Sequence, residues 1–499
     1  LLAARFPVCM ASDEFHFFPQ LLSADRQWSR WDDFSPGSVA IVCDQFRDWQ
    51  ERFAALEATD PTRDDHIDIK MMRRVIQTLH EQLTTVGVHH SQPTFYLTIM
   101  GIGLAEAIDA GSQALRGRLQ GLPAFLDCAR RNLTQVPVVF NRLGLEMIRR
   151  LQSWLATFPQ NDVLLAPVQA ALARLAHHLK QLPAVEEFLP SVETYARIAS
   201  AHMGCRVAMD QLADELDQEI AATEALLKHY AGILHPGRHW QAVVGGIETP
   251  RADIDTRQGY QQTIAALALH CVDCGLVPVA LPGQSPVKVE IIPDFMRPVR
   301  SNAAFSASPG HPARGGTFYI EDPRGSRAMP VDYRLLTAHE TYPGHHVLDS
   351  SRWNLARPVR RHIEFPLFYE GWASFSEELL FDTGFFHGPL DQLLMAKRRF
   401  WRALRGRVDF DIHMRRRDPS QAAAFLCDHG MDPARAQTMV QRYILKPGYQ
   451  LAYAIGRRRF RRLYDGVADS QRPAAFARSV LAQGEIGFDQ LETILMQGG

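Results

Sequence analysis

The sequence predicts a mainly α fold carrying one small β-sheet, and three observations lead there. Apolar residues recur every three to four positions from about residue 37 to 272 and again after 331, the period of a helix with one buried face. Between 284 and 330 the period shortens to two: Val287, Val289 and Ile291 alternate with Lys288 and Glu290, as in a half-buried strand. Hydrophobic residues make up 46% and charged residues 22% of the 499, a globular composition that excludes a disordered or collagen-like chain.

The elements follow in order. Phe46, Trp49 and Phe53 share one helical face, and Met71, Val75, Leu79 and Leu83 share another. Helices are expected over 138–155 and 168–182, punctuated by Pro159 and Pro183. The stretch 192–230 has no Pro and a single Gly, and it reads as one long helix lined by Ile198, Met203, Val207, Leu212, Leu216, Ile220 and Leu226. The apolar stretch 261–283 contains Asp273, Pro278 and Pro282. A spanning helix needs roughly 20 predominantly apolar residues, so this reads as a buried helix followed by a short buried extended segment. After the strand at 287–291, Gly310, Pro312, Gly315 and Gly316 form a loop into a second strand at 317–320, with Pro323 beyond it. Helices return over 331–353, 361–383, 388–416, 419–429, 433–445, 449–465 and 472–496. No change of composition marks a linker, so the chain is expected to be a single unit, 1–499. It would have a helical half over 1–283, the small sheet over 284–330 and a second helical part over 331–499.

Charge and cysteine content narrow the function classes. Lys and Arg number 54 against 55 Asp and Glu, a net charge of −1, which offers no general attraction to nucleic acid or an anionic membrane. The seven cysteines are odd in number and scattered, which suggests a reducing compartment, the cytoplasm, rather than a disulfide framework. Cys271 and Cys274 form a CxxC without a second ligand pair and read as core residues. The first residues lack a basic segment ahead of a long apolar run, so no signal peptide is expected.

The stretch with chemical content is His339-Glu340-Thr341-Tyr342-Pro343-Gly344-His345-His346. Neutral imidazoles bind Zn²⁺, and a carboxylate next to a ligand handles the proton of a metal-activated water. In the usual word the second His stands at i+4, one helical turn on. Here i+4 is Pro343, and the histidines fall at i+6 and i+7. In an unbroken helix, i+6 is turned by roughly 600° and raised by ~9 Å, too far to share a metal. Pro343 and Gly344 permit a distortion that returns a histidine to His339. Glu370 follows His345 by 25 residues, enough for a turn and a return helix to bring in a third ligand. Glu377 lies two turns further along the same face and suits a bond to a ligand imidazole. A later stretch, Arg442-Tyr443 through Tyr449 and Tyr453 to Gly456, supplies hydroxyls able to donate to an oxyanion. Asp409 and His413, four apart, share one face of a predicted helix.

The three words HExxPGHH, EGWAxxxE and RYxxxPGxxxxYxxG resemble a bacterial family of uncharacterised proteins described as predicted zinc metallopeptidases. That family is similar to thimet oligopeptidase, angiotensin-converting enzyme and the thermostable helical carboxypeptidases. The resemblance covers roughly 190–499 by motif and implies a large helical metallopeptidase-like fold with a central cleft. It implies one zinc per chain held by His339, His345 and Glu370, since the Gly-His ending favours His345 over His346. It also implies Glu340 as general base and Tyr453, with Tyr443 ten residues before it, as the catalytic donors. His346, Glu377 and Arg442 would support the ligands or bind substrate. The expected activity is zinc-dependent hydrolysis of amide bonds in small peptides or amino-acid conjugates. The alternatives are a non-catalytic or repurposed protein on the same fold, or a hydrolase or lyase of a non-peptide metabolite. No nucleic-acid or membrane partner is expected.

Overall fold

The computed structural model describes residues 2–12, 15, 18, 28–57, 59, 63–158, 163–205, 208–253, 255–293, 303–307, 314–321, 327–467 and 472–497. The fold is mainly α with a three-stranded sheet. The backbone falls into two compact units, a finer division than the single unit expected: 1–190 with 292–301, and 191–291 with 302–499. In the first unit, helices Pro36–Glu57 and Arg63–Glu81 pack together, and Pro93–Ala110 packs on Ser112–Asn132 and Val138–Leu155. Their apolar faces meet in a core that includes Phe34, Phe46, Tyr96, Leu122 and Met147.

The second unit holds every residue of the candidate site. Its principal elements are α1 (Met209–Leu234), α2 (Thr256–Asp273), β1 (Val287–Ile291), β2 (Ala303–Ala307) and β3 (Gly316–Ile320). These are followed by α3 (Tyr333–Glu340), α4 (His345–Trp353), α5 (Pro366–Asp382), α6 (Pro389–His413), α7 (Pro433–Leu445) and α8 (Leu451–Gly466). The strand order is β1-β3-β2, with β3 parallel to β1 and antiparallel to β2. The sequence alternation marks β1, and the Gly- and Pro-containing loop leads into β3. β2, with its small residues Ala303, Ala304 and Ala307, lacks that contrast. Gly310, Pro312 and Pro323 of the expected loops lie outside the described residues.

Several expected elements differ from those observed. The long helix over 192–230 is interrupted: a π turn at Ile198–His202 follows Val192–Arg197, and α1 begins only at Met209. Gly204, in between, has φ 87°, a conformation that leaves a right-handed helix. Val207 lies outside the described residues. The segment after α2 is buried only in part and is not extended throughout: Leu276, Val277 and Leu281 are buried, Val279 is 81% exposed, and Leu281–Gln284 is a helical turn. The helix over 361–383 splits into Pro358–His362 and α5, because Phe365 precedes a proline and is extended. The terminal helix splits into Ala474–Leu481 and Phe488–Gln497. Between them Glu485 is fully buried; it meets Arg352 at 3.0 Å and accepts the Phe365 amide.

Helix α5 is buried on almost every side, as expected of a helix at the centre of a core. It packs most closely along α8. A Cβ added to Gly371 would fall 2.7 Å from the backbone of Gly456, and one on Gly456 would fall 2.2 Å from Leu367 O. This glycine crossing lets the backbones touch and draws the Glu370 and Tyr453 turns together. Gly371→Ala should therefore cost about 1–3 kcal/mol by overpacking, read as a lower denaturation midpoint. An unchanged midpoint would argue against the close crossing.

Candidate functional site

The metal word is built on a broken helix. The expected helix over 331–353 is two helices, with α3 ending at Glu340 and α4 starting at His345. Thr341 leaves helical space at φ −123°, ψ −92°, and Pro343 has no N–H to continue the ladder. Gly344 lies against the preceding turn: its amide donates to Ala338 O at 3.2 Å, and a Cβ there would sit 1.8 Å from His339 O. Trp372 of α5 holds the loop by donating to Pro343 O at 3.0 Å. The break absorbs the two extra residues of the motif and brings the His339 and His345 rings to 4.7 Å.

Glu370 comes from α5 to complete the group. Its Oε2 lies 3.4 Å from His339 Nε2 and 3.4 Å from His345 Nε2. All three side chains are buried, and the ligand atoms of the three lie within 4.8 Å of one another. Glu370 Oε2 has no hydrogen-bond donor, while Oε1 accepts from Tyr449 Oη at 2.7 Å. In tetrahedral zinc with bonds of about 2.0–2.1 Å, two ligand atoms stand roughly 3.3–3.4 Å apart. The donor set and its spacing thus fit Zn²⁺, and an orphaned buried carboxylate oxygen calls for a cation.

Charges and second contacts orient the group. His339 Nδ1 is 3.1 Å from Glu377 Oε1. Arg402 contacts the same Nδ1 at 3.0 Å and the same oxygen at 2.5 Å. Nδ1 cannot both donate to Glu377 and accept from Arg402. A proton on Nδ1 directed at Glu377 leaves the Nε2 lone pair facing Glu370, the arrangement a metal requires. Burial alone would raise the Glu377 carboxyl, but Arg398, Arg402 and His339 hold it well below the usual range. Burial would likewise raise Glu370, and the two imidazoles hold it well below. Burial would lower His345, but Glu370, Glu340 and Asp349 outweigh this and raise it. Its ring stacks on Tyr369 at 4.0 Å, and Tyr369 donates to Asp349 at 3.0 Å.

Glu340 stands beside the group without joining it. Its Oε2 accepts the Phe305 amide of β2 at 2.8 Å, so the sheet adjoins the site through its edge strand. The Glu340 charge is felt at His345 and Tyr453. Burial and the Glu370 charge push the Tyr449 and Tyr453 hydroxyls well above the usual range, so both keep their protons and remain donors. The Tyr453 ring lies nearly parallel to that of His339, 6.4 Å away.

The remaining expected residues fall elsewhere. His346 turns away from the group: Nε2 is 3.2 Å from Tyr342 Oη, Nδ1 is 3.4 Å from Ser350 Oγ, and Phe305 packs edge-on. Burial lowers its pKa to about 3. The Tyr443 hydroxyl is buried with no hydrogen-bond partner; burial pushes it up to about 12 against the charges of Arg405, Arg435 and Arg442. Arg442 is partly exposed on α7. Asp409 is a structural anchor, accepting the Gly448 amide at 2.9 Å and the Gln450 amide at 3.0 Å. It thereby holds the turn that carries Tyr449, while His413 lies 2.9 Å from it. Sequence reasoning missed Tyr449 as the Glu370 partner and Arg402 as the brace of Glu377. The one signal for Arg402 was its helical spacing with Arg398 and Asp409.

Residues 22–495 match the model of the family described as "Bacterial protein of unknown function (DUF885)". The chain belongs to that family. No curated protein matches it. Two solved structures are similar in fold. A "putative lipoprotein of unknown function" from Shewanella oneidensis aligns at TM-score 0.73 and 16% identity, over 95% of each chain. A "putative lipoprotein" from Colwellia psychrerythraea aligns at TM-score 0.80 and 16% identity, over 100% of this chain and 96% of that one. Among the described residues, no helix is long and apolar enough to cross a membrane.

Proposed function

We propose that this protein is a zinc-dependent hydrolase of amide bonds, acting on small peptides or amino-acid conjugates. The observation that carries the reading is the orphaned Glu370 Oε2, buried and equidistant from two imidazole nitrogens. His339, His345 and Glu370 would hold the zinc, which supplies Lewis-acid chemistry to the carbonyl and to a water. Glu340 is held by Phe305 N–H through one oxygen; the other takes the proton from the attacking water and returns it to the leaving amine. Tyr453, kept protonated, donates to the developing oxyanion. Tyr449 and Glu377 fix the carboxylate and the imidazole from behind. The absence of a disulfide among the described residues favours the cytoplasm, whereas the lipoprotein designation of the two structural relatives would favour the cell envelope; fractionation of cells expressing the full-length gene decides between them.

The test is metal analysis of the purified protein followed by incubation with a mixed peptide library. One equivalent of zinc and cleavage that stops on chelation are expected. A protein with no affinity for zinc, or with zinc and no amide cleavage, would overturn the reading and leave a binding protein on a peptidase-like fold.

A further inference from the structure

Along α6 the arginines are matched to carboxylates with one exception. Arg398 pairs with Glu377 and Asp332, Arg399 with Glu219, Arg402 with Glu377, and Arg407 with Asp411 and Asp217. Arg405 has no hydrogen bond or ion pair with any described residue, and its Nε is buried without a partner. Its guanidinium lies over the Tyr453 ring, 4.7 Å from the centroid. That ring is the one parallel to His339, so Arg405 is no farther from the ligand imidazole than those two separations together. The ligand side chains are buried, while Tyr449, Tyr453 and Arg405 are partly exposed, so this is the side that solvent reaches.

A guanidinium with a buried, unpartnered Nε is left incompletely satisfied unless an anion completes it. Its flat fork matches a carboxylate through two parallel hydrogen bonds. We propose that Arg405 receives the free α-carboxylate of the substrate. The protein would then act on amides with a carboxylate close to the scissile bond: N-acyl amino acids and the C-terminal residues of short peptides. This rests on the amide-hydrolase reading and deepens it from amide hydrolysis in general to exo-acting hydrolysis. One residue of chain advances at most ~3.3–3.6 Å, so the two separations together set an upper limit of about three residues between the receptor and the ligand imidazole, which suits a short substrate rather than a long peptide.

The experiment compares an N-acylated dipeptide with its C-terminal amide on zinc-loaded wild type, Arg405→Met and Arg405→Lys. A charge-assisted pair should favour the free acid in kcat/KM by about 10- to 100-fold. Arg405→Met should bring that ratio close to one, and Arg405→Lys, which keeps the charge but loses the fork, should fall between. In parallel, calorimetry measures binding of N-acetylphenylalanine and of its amide to the same proteins. If nothing is hydrolysed, the amide-hydrolase reading fails, and binding still decides the role of Arg405. A wild type with no preference for the acid in either measurement overturns the receptor. So does an Arg405→Met loss shared equally by acid and amide, since that would mark an arginine that only tunes Tyr453. Thermal melts check folding, and should Arg405→Met not fold, the ratio in Arg405→Lys decides.

Discussion

Glu340→Gln is expected to remove turnover by about 10²–10⁴-fold while leaving zinc bound. The geometry makes this substitution unusually clean. Glu340 Oε2 accepts the Phe305 amide, and the carbonyl oxygen of Gln can accept the same bond. The β2 contact and the α3–α4 break that seats His345 should therefore persist. What changes is the other terminus: the nitrogen lone pair of an amide NH₂ is delocalised into the carbonyl and cannot take a proton from water. Because Glu340 is not among the three converging side chains, zinc content measured by mass spectrometry should stay at one equivalent. Turnover close to wild type would show that Glu340 is not the base. Loss of zinc would show it to be a ligand.

Glu370→Ala is expected to abolish zinc binding. Glu370 supplies the only negative charge of the set and stands between the imidazoles at 3.4 Å from each. Without it two neutral nitrogens remain, and the cation's charge loses its compensation in a buried site. A ligand that binds only the folded state stabilises it by mass action, by about 2.7 kcal/mol at 100 times the dissociation constant. The wild type should accordingly melt higher with zinc than with chelator, and Glu370→Ala should show no such difference. The zinc-dependent gain should also shrink as pH falls, since protons compete for the ligand imidazoles. The elevated pKa of His345 in the zinc-free site strengthens that competition. A zinc-dependent rise in the Glu370→Ala variant equal to wild type would remove Glu370 from the ligand set.

Much of this protein was legible in the chain. Helical periodicity located most of the helices because one-sided burial is written into residues three and four apart. The alternation at 287–291 marked β1 for the same local reason. Glu370 and Glu377 are two turns apart on one helix, so their common face followed from spacing, and His339 lies 3.1 Å from Glu377. Other features had no local signature. His345 and His346 are neighbours of the same type, and only the loop between α3 and α4 aims one at His339 and the other at Tyr342. Tyr449 donates to Glu370 because Asp409, on another helix, ties down the amides of Gly448 and Gln450. Arg405 looks like its neighbours in the sequence and is set apart by having no ion pair with any described residue. Residue spacing along the chain determines which side chains share a face. Which faces meet, and which charges remain uncompensated, depends on backbone contacts between residues dozens of positions apart, and the tertiary structure alone decides those.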